Sequence, residues 1–137
     1  MILPQYALLL DCADVLKAID INDWDRFSYP QRRGVGMLGR WVIEKALWSV
    51  IVARGQKPPF NASLMELYAL SGIKLLPEQE YLLEQINDRV TTKEIQDDDI
   101  EEDFKYAYLL ANTIRGTAHN IVTILDIKSR KQDQTPS

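Results

Sequence analysis

Apolar residues recur at every third and fourth position along most of the chain, and no stretch alternates apolar and polar residues long enough to compete as a strand. Proline and glycine cut this pattern into helical windows. The first window covers residues 4–20, with Pro4 tolerated in its opening turn and Tyr6, Leu9, Leu10, Ala13 and Leu16 on one side. Asp11, Asp14 and Lys17 take the other side. After a turn through Asn22 and Asp23, Ser28 and Pro30 mark a second start, and the pattern runs to Arg54 before Gly55 and the Pro58-Pro59 pair stop it. A short helix over 63–71 ends at Gly72, a fourth runs over 77–90, and a last long one over 99–128. These windows predict an all-α bundle of about five helices. The bundle is expected to occupy residues 1–128, with a disordered tail at 129–137.

The second helix is apolar on two sides, because Val35, Leu38, Val42 and Ala46 mark one face while Met37, Trp41 and Trp48 mark another. Either the bundle buries both faces internally, or Met37, Trp41 and Trp48 form a homodimer interface. The same helix contains Gly34-Val35-Gly36-Met37-Leu38-Gly39, which satisfies G-x-G-x-x-G. Dinucleotide binding by that motif needs a strand before it and an acidic residue about twenty positions later. Residues 29–33 do not read as a strand and residues 54–60 hold no carboxylate, so close helix packing explains the glycines better.

At 137 residues, with 46% hydrophobic and 26% charged positions, the chain fits one soluble domain with one core. Sixteen Lys and Arg against twenty Asp and Glu give a net charge of -4, so any contact with nucleic acid must be local. The lone cysteine, Cys12, excludes an internal disulfide and suits a reducing compartment, which makes a cytoplasmic location the expectation. The first residues lack a basic n-region, and Asp11 and Asp14 interrupt the apolar stretch before it could serve as a signal peptide or membrane span. The acidic run Asp97, Asp98, Asp99, Glu101, Glu102 and Asp103 lacks the ligand order of a calcium loop. Asp99 with Glu102 matches a capping box instead, so neither a metal site nor a cofactor is expected.

In the last helix Ile100, Phe104, Ala107, Ala111, Ile114, Ala118, Ile121, Val122 and Leu125 trace one stripe at helical spacing. On its shoulder fall Tyr108, Asn112, Arg115 and His119, spaced four, three and four apart. Arg115 keeps its charge and can grip a phosphate with two hydrogen bonds, while His119, the one histidine, can move protons near neutral pH. Together they could cleave a phosphodiester by acid and base catalysis, or the row could be a hydrogen-bonded network fixing helix register.

The stretch Trp41-Val42-Ile43-Glu44-Lys45-Ala46-Leu47, running on to Ala53-Arg54-Gly55-Gln56-Lys57-Pro58-Pro59, resembles the HEPN superfamily of small helical bundles. In that superfamily an A-E-K-A-L core helix leads into a Gly and a Pro pair. The short helix that follows matches Leu64-Met65-Glu66-Leu67, and the acidic turn into a final helix matches residues 97–103. The resemblance implies a dimeric, up-and-down α-helical bundle, often a toxin or a companion encoded beside a small nucleotidyltransferase, and several members are metal-independent endoribonucleases. Their signature is an Arg followed, after four to six positions, by a His. Arg115-Gly116-Thr117-Ala118-His119 leaves three positions between the pair, and a second register places Arg89 at the signature with Glu94 where His belongs. A loop position that often holds His in nucleotidyltransferase-associated members falls at Asn61-Ala62.

The expectation is therefore a HEPN-like homodimer serving as a binding or companion module for nucleic acid, nucleotide or a protein partner, in a toxin-antitoxin or nucleotidyltransferase-linked system. One alternative is a metal-independent endoribonuclease using Arg115 and His119, with Tyr108 and Asn112 in the surrounding network. Another is a structural interaction protein whose contact surface is Met37, Trp41 and Trp48.

Overall fold

Two of the α-helices begin where a serine side chain provides for their unpaired backbone amides. A computed structural model describes the backbone of residues 3–89 and 100–134 and the side chains of 4–87 and 104–131. Helix α1 is Leu3–Lys17, a 3-10 turn covers Ile21–Arg26, α2 is Tyr29–Ala53, α3 is Leu64–Ser71, α4 is Pro77–Arg89 and α5 is Ile100–Gln134. No strand occurs among the described residues, and the fold is an all-α helical bundle. Ser28 opens α2 through a capping box: its Oγ accepts from the Gln31 amide at 3.3 Å while its own amide donates to Gln31 Oε1 at 2.7 Å. Ser63 caps α3 in the same way toward the Glu66 amide, and Gly72 ends it in the left-handed conformation at φ 74°. Arg54, just past α2, donates its Nε to the Ser71 carbonyl at 3.0 Å, placing a cation on the negative end of α3.

Helix α2 is the centre of the bundle, packed along α5 and flanked by α1 and α3, while α4 closes on α3 and α5. Val42, Ile43, Ala46, Leu47, Val50 and Ile51 are fully buried along it. The glycines of the G-x-G-x-x-G run divide by role. A Cβ on Gly39 would stand 2.7 Å from the Ala107 backbone carbonyl carbon, and one on Gly36 would stand 2.3 Å from the Phe104 ring, so Gly39 admits the α5 backbone and Gly36 admits the Phe104 side chain. A Cβ on Gly34 would meet nothing within 4 Å.

Three expectations need correction. Helix α1 ends at Lys17 rather than at residue 20, because the Leu16 and Ile19 carbonyls turn to the Tyr108 hydroxyl; Leu10 is 54% exposed, and the buried positions are Gln5, Leu9, Cys12 and Leu16. The turn after α1 is not merely a connection. Trp24 is buried in it, its ring under the Arg32 guanidinium at 5.4 Å and its carbonyl accepting from Arg32 Nε at 3.1 Å. Finally, Ser129 does not begin a disordered tail: α5 continues to Gln134, with Arg130 paired to Asp126 one turn back at 3.2 Å. No glycine or proline interrupts the chain between Gly116 and Pro136, so the helix outlasts the core that it covers. The expected stripe of α5 is buried at Phe104, Ala107, Ala111, Ile114, Ala118 and Val122 and half-buried at Ile121 and Leu125. Asp97, Asp98, Asp99 and Glu94, with the expected capping box and the second signature register, lie outside the described residues.

Candidate functional site

Side chains four and three apart on α5 share a shoulder, and that shoulder faces α1. Tyr108, 7% exposed, donates its hydroxyl to the Leu16 carbonyl at 3.0 Å, with the Ile19 carbonyl also within reach at 3.3 Å. The Leu16 carbonyl also accepts from the Ile19 amide at 3.2 Å, so Tyr108 adds a second donor at the end of α1 and acts as a cap supplied by another helix. Asn112 is exposed and turns its amide back to the Tyr108 carbonyl at 3.3 Å. The first half of the row is thus spent on structure.

The second half is not. Arg115 and His119 are half-buried, and each holds a nitrogen, Nε of Arg115 and Nδ1 of His119, that is out of contact with solvent and has no hydrogen-bond partner. Among the described residues no carboxylate pairs with Arg115. The imidazole stands edge-on to the Tyr6 ring of α1, with centroids 5.7 Å apart. Beneath them Cys12 is fully buried; burial pushes its thiol above the ordinary value and Asp11 adds to the rise, while Arg115 and Lys45 act in the opposite sense. A guanidinium with no carboxylate partner, one helical turn from an imidazole, is suited to an anion that accepts several hydrogen bonds.

Three clefts open elsewhere. One of about 450 Å3 lies among Ile19, Asp23, Phe27, Gly34 and Leu38, one of about 530 Å3 between α2 and the 57–62 loop, and one of about 620 Å3 among Pro77, Tyr81, Leu82 and Tyr106. Arg115 and His119 line none of these three. The second face of α2 is uncovered by the described residues: Met37 is 55% exposed, and Trp41 and Trp48 39% each. Trp48 also borders the second cleft, which Met37 and Trp41 do not.

Residue patterns alone did not single out Tyr6, read only as a member of the α1 stripe, or Phe60, which is 93% exposed. Phe60 carried a usable signal, since an aromatic directly after Pro58-Pro59 sits where no helix can bury it. No helix among the described residues is long and apolar enough to cross a membrane. Comparison with family models, with curated proteins and with solved structures gives no match to this chain.

Proposed function

We propose that this chain is a HEPN-like binding or companion module, acting as a homodimer, that holds a phosphate-bearing ligand, RNA or a nucleotide, on the shoulder of Arg115 and His119. The observation that carries this reading is that two buried nitrogens without partners stand one helical turn apart on a guanidinium and an imidazole, whereas the third such nitrogen, Nε of Arg40, belongs to a guanidinium already paired with Glu44. Leaving such a group unpaired costs about 1–3 kcal/mol, and a purely structural network would satisfy it, as Tyr108 is satisfied on the same shoulder. A phosphate would accept from Arg115 Nε and one terminal nitrogen side by side, with the imidazole supplying a third bond. The exposed Met37 and Trp41, with Trp48 at the edge of the same stripe where it also borders the second cleft, support the homodimer, since a two-fold axis would cover an apolar helix face with its own copy. The HEPN resemblance adds a small nucleotidyltransferase as the expected protein partner.

The endoribonuclease reading uses the same two residues, and the single histidine with an unspent Nδ1 one turn from Arg115 favours it. Incubating the protein with mixed RNA in EDTA, where metal-dependent contaminants are silent, separates the two. The binding module retains RNA and leaves it intact, whereas cleavage that vanishes in His119→Ala makes the protein an enzyme. In either case Arg115→Met weakens RNA binding more than about tenfold, the value of one charged hydrogen-bond pair. Unchanged affinity in Arg115→Met removes the shoulder from both readings.

A further inference from the structure

The chain leaves α2 through Gly55, at φ 81°, into Lys57-Pro58-Pro59-Phe60-Asn61. Two prolines fix their own φ, and Asn61 holds the left-handed region at φ 57°, which asparagine tolerates better than most side chains. The loop is stiff for reasons of covalent geometry, and it presents Phe60 almost wholly to solvent at 93% exposure. Across a gap of about 530 Å3, the size of a small-ligand pocket, stands the half-exposed ring of Trp48. Among the described residues, neither the Phe60 ring nor that of Trp48 contacts another ring or a cation.

Charge decides what chemistry fits between them. Glu44 on the cleft wall is already held by Arg40 at 3.6 Å, whereas Lys45 and Lys57, which also line it, pair with no carboxylate among the described residues. The cleft is therefore locally cationic on a chain whose net charge is -4. Aromatic faces beside unpaired lysines are what a nucleobase and its phosphates require. An apolar partner helix laid in the same gap would instead desolvate both ammonium groups without compensation. The first amides of α3 are taken, Leu64 by Asn87 Oδ1 at 3.0 Å and Glu66 by Ser63 Oγ at 3.1 Å, so those two amides offer nothing to the terminal phosphate of a free nucleotide. We infer that the cleft between α2 and the 57–62 loop is a binding site for single-stranded nucleic acid, one base stacking against Trp48 and Phe60 while Lys45 and Lys57 meet the flanking phosphates. The site shares a ligand class with the Arg115 shoulder but none of its residues.

The test is fluorescence anisotropy of a labelled eight-nucleotide RNA titrated with the full chain between 50 and 200 mM salt, for the wild type, Phe60→Ala, Lys57→Gln and Arg115→Met, each checked for helicity by circular dichroism. Phe60 is so exposed that its removal leaves the fold intact, and losing one stacking face weakens binding about tenfold. Contact with two phosphates gives a salt slope of about -1.4, and Lys57→Gln makes it shallower by about 0.7. Adenosine monophosphate in excess does not displace the strand from Arg115→Met, in which the other shoulder is disabled. The inference is overturned if the wild type does not bind the strand at low salt, or if Phe60→Ala and Lys57→Gln bind like the wild type, whatever Arg115→Met does. A salt slope near zero, the mark of an apolar protein-docking surface, overturns it, as does displacement by the mononucleotide, which marks a free-nucleotide pocket.

Discussion

Helix α5 meets the rest of the bundle along two lines that follow opposite rules. Against α2 it approaches to backbone contact at Gly39 and ring contact at Gly36, and the seam continues through fully buried aliphatic side chains. Against α1 it presents a polar row in which Tyr108 is spent on two carbonyls while Arg115 and His119 keep buried nitrogens in reserve. The seam is where packing specifies the fold. The shoulder is where the same helix retains hydrogen-bonding capacity that its own chain does not use, and unspent capacity at a half-buried cation is what a ligand can take up.

The largest effect expected from breaking this contrast is at the seam. Gly39→Val drives a side chain into the Ala107 backbone, which cannot step aside as a flexible side chain would, and should lower stability by about 3 kcal/mol in urea unfolding. A loss below about 1 kcal/mol would mean that the two helices slide apart easily. Tyr108→Phe comes next: it removes the only donor that reaches α1 from the row, and with the Leu16 carbonyl still accepting from the Ile19 amide at 3.2 Å the cost should be about 1 kcal/mol.

At Gly34, which has open space where Gly36 and Gly39 have none, Ala should raise stability by up to about 1 kcal/mol through helix propensity alone. Arg115→Met sharpens the comparison further, because removing a buried donor that has no partner should leave stability unchanged or raise it. A loss like that of Tyr108→Phe would make the whole row structural.

The smallest effect is alkaline. The Cys12 thiol is raised by burial, so both folded and unfolded chains keep it neutral below about pH 8.5. Above that the unfolded thiol ionises first, and stability should fall as pH climbs toward the folded value. Unfolding midpoints measured at several alkaline pH values should show this slope in the wild type and a shallower one in Cys12→Ala.

Much of the fold was legible because its signals are local. Ser28 with Pro30, Ser63, and Gly72 act within one turn of where they stand, and the α2 and α5 stripes repeat over many residues. The glycine run was legible as packing once its dinucleotide context was missing, though only the contacts separate Gly34 from its neighbours. What escaped were consequences of distant partners. Trp24 is buried by residues that reach it from α2, and α1 stops early for a hydroxyl 92 positions away in the chain. The candidate site divides likewise: helical spacing placed Tyr108, Asn112, Arg115 and His119 on one shoulder, but not which of them is already satisfied. Spacing along one helix says nothing about the facing carbonyls of another.

His119 is the single histidine, so its imidazole resonances need no assignment among competitors. Following them by long-range proton–nitrogen NMR while a short RNA is titrated into the wild type and Arg115→Met tests most directly whether the shoulder takes a phosphate. The ring signals should move and saturate in the wild type and stay in place in Arg115→Met. Imidazole signals that remain unmoved in the wild type at saturating RNA would contradict the assignment of Arg115 and His119 to a binding site.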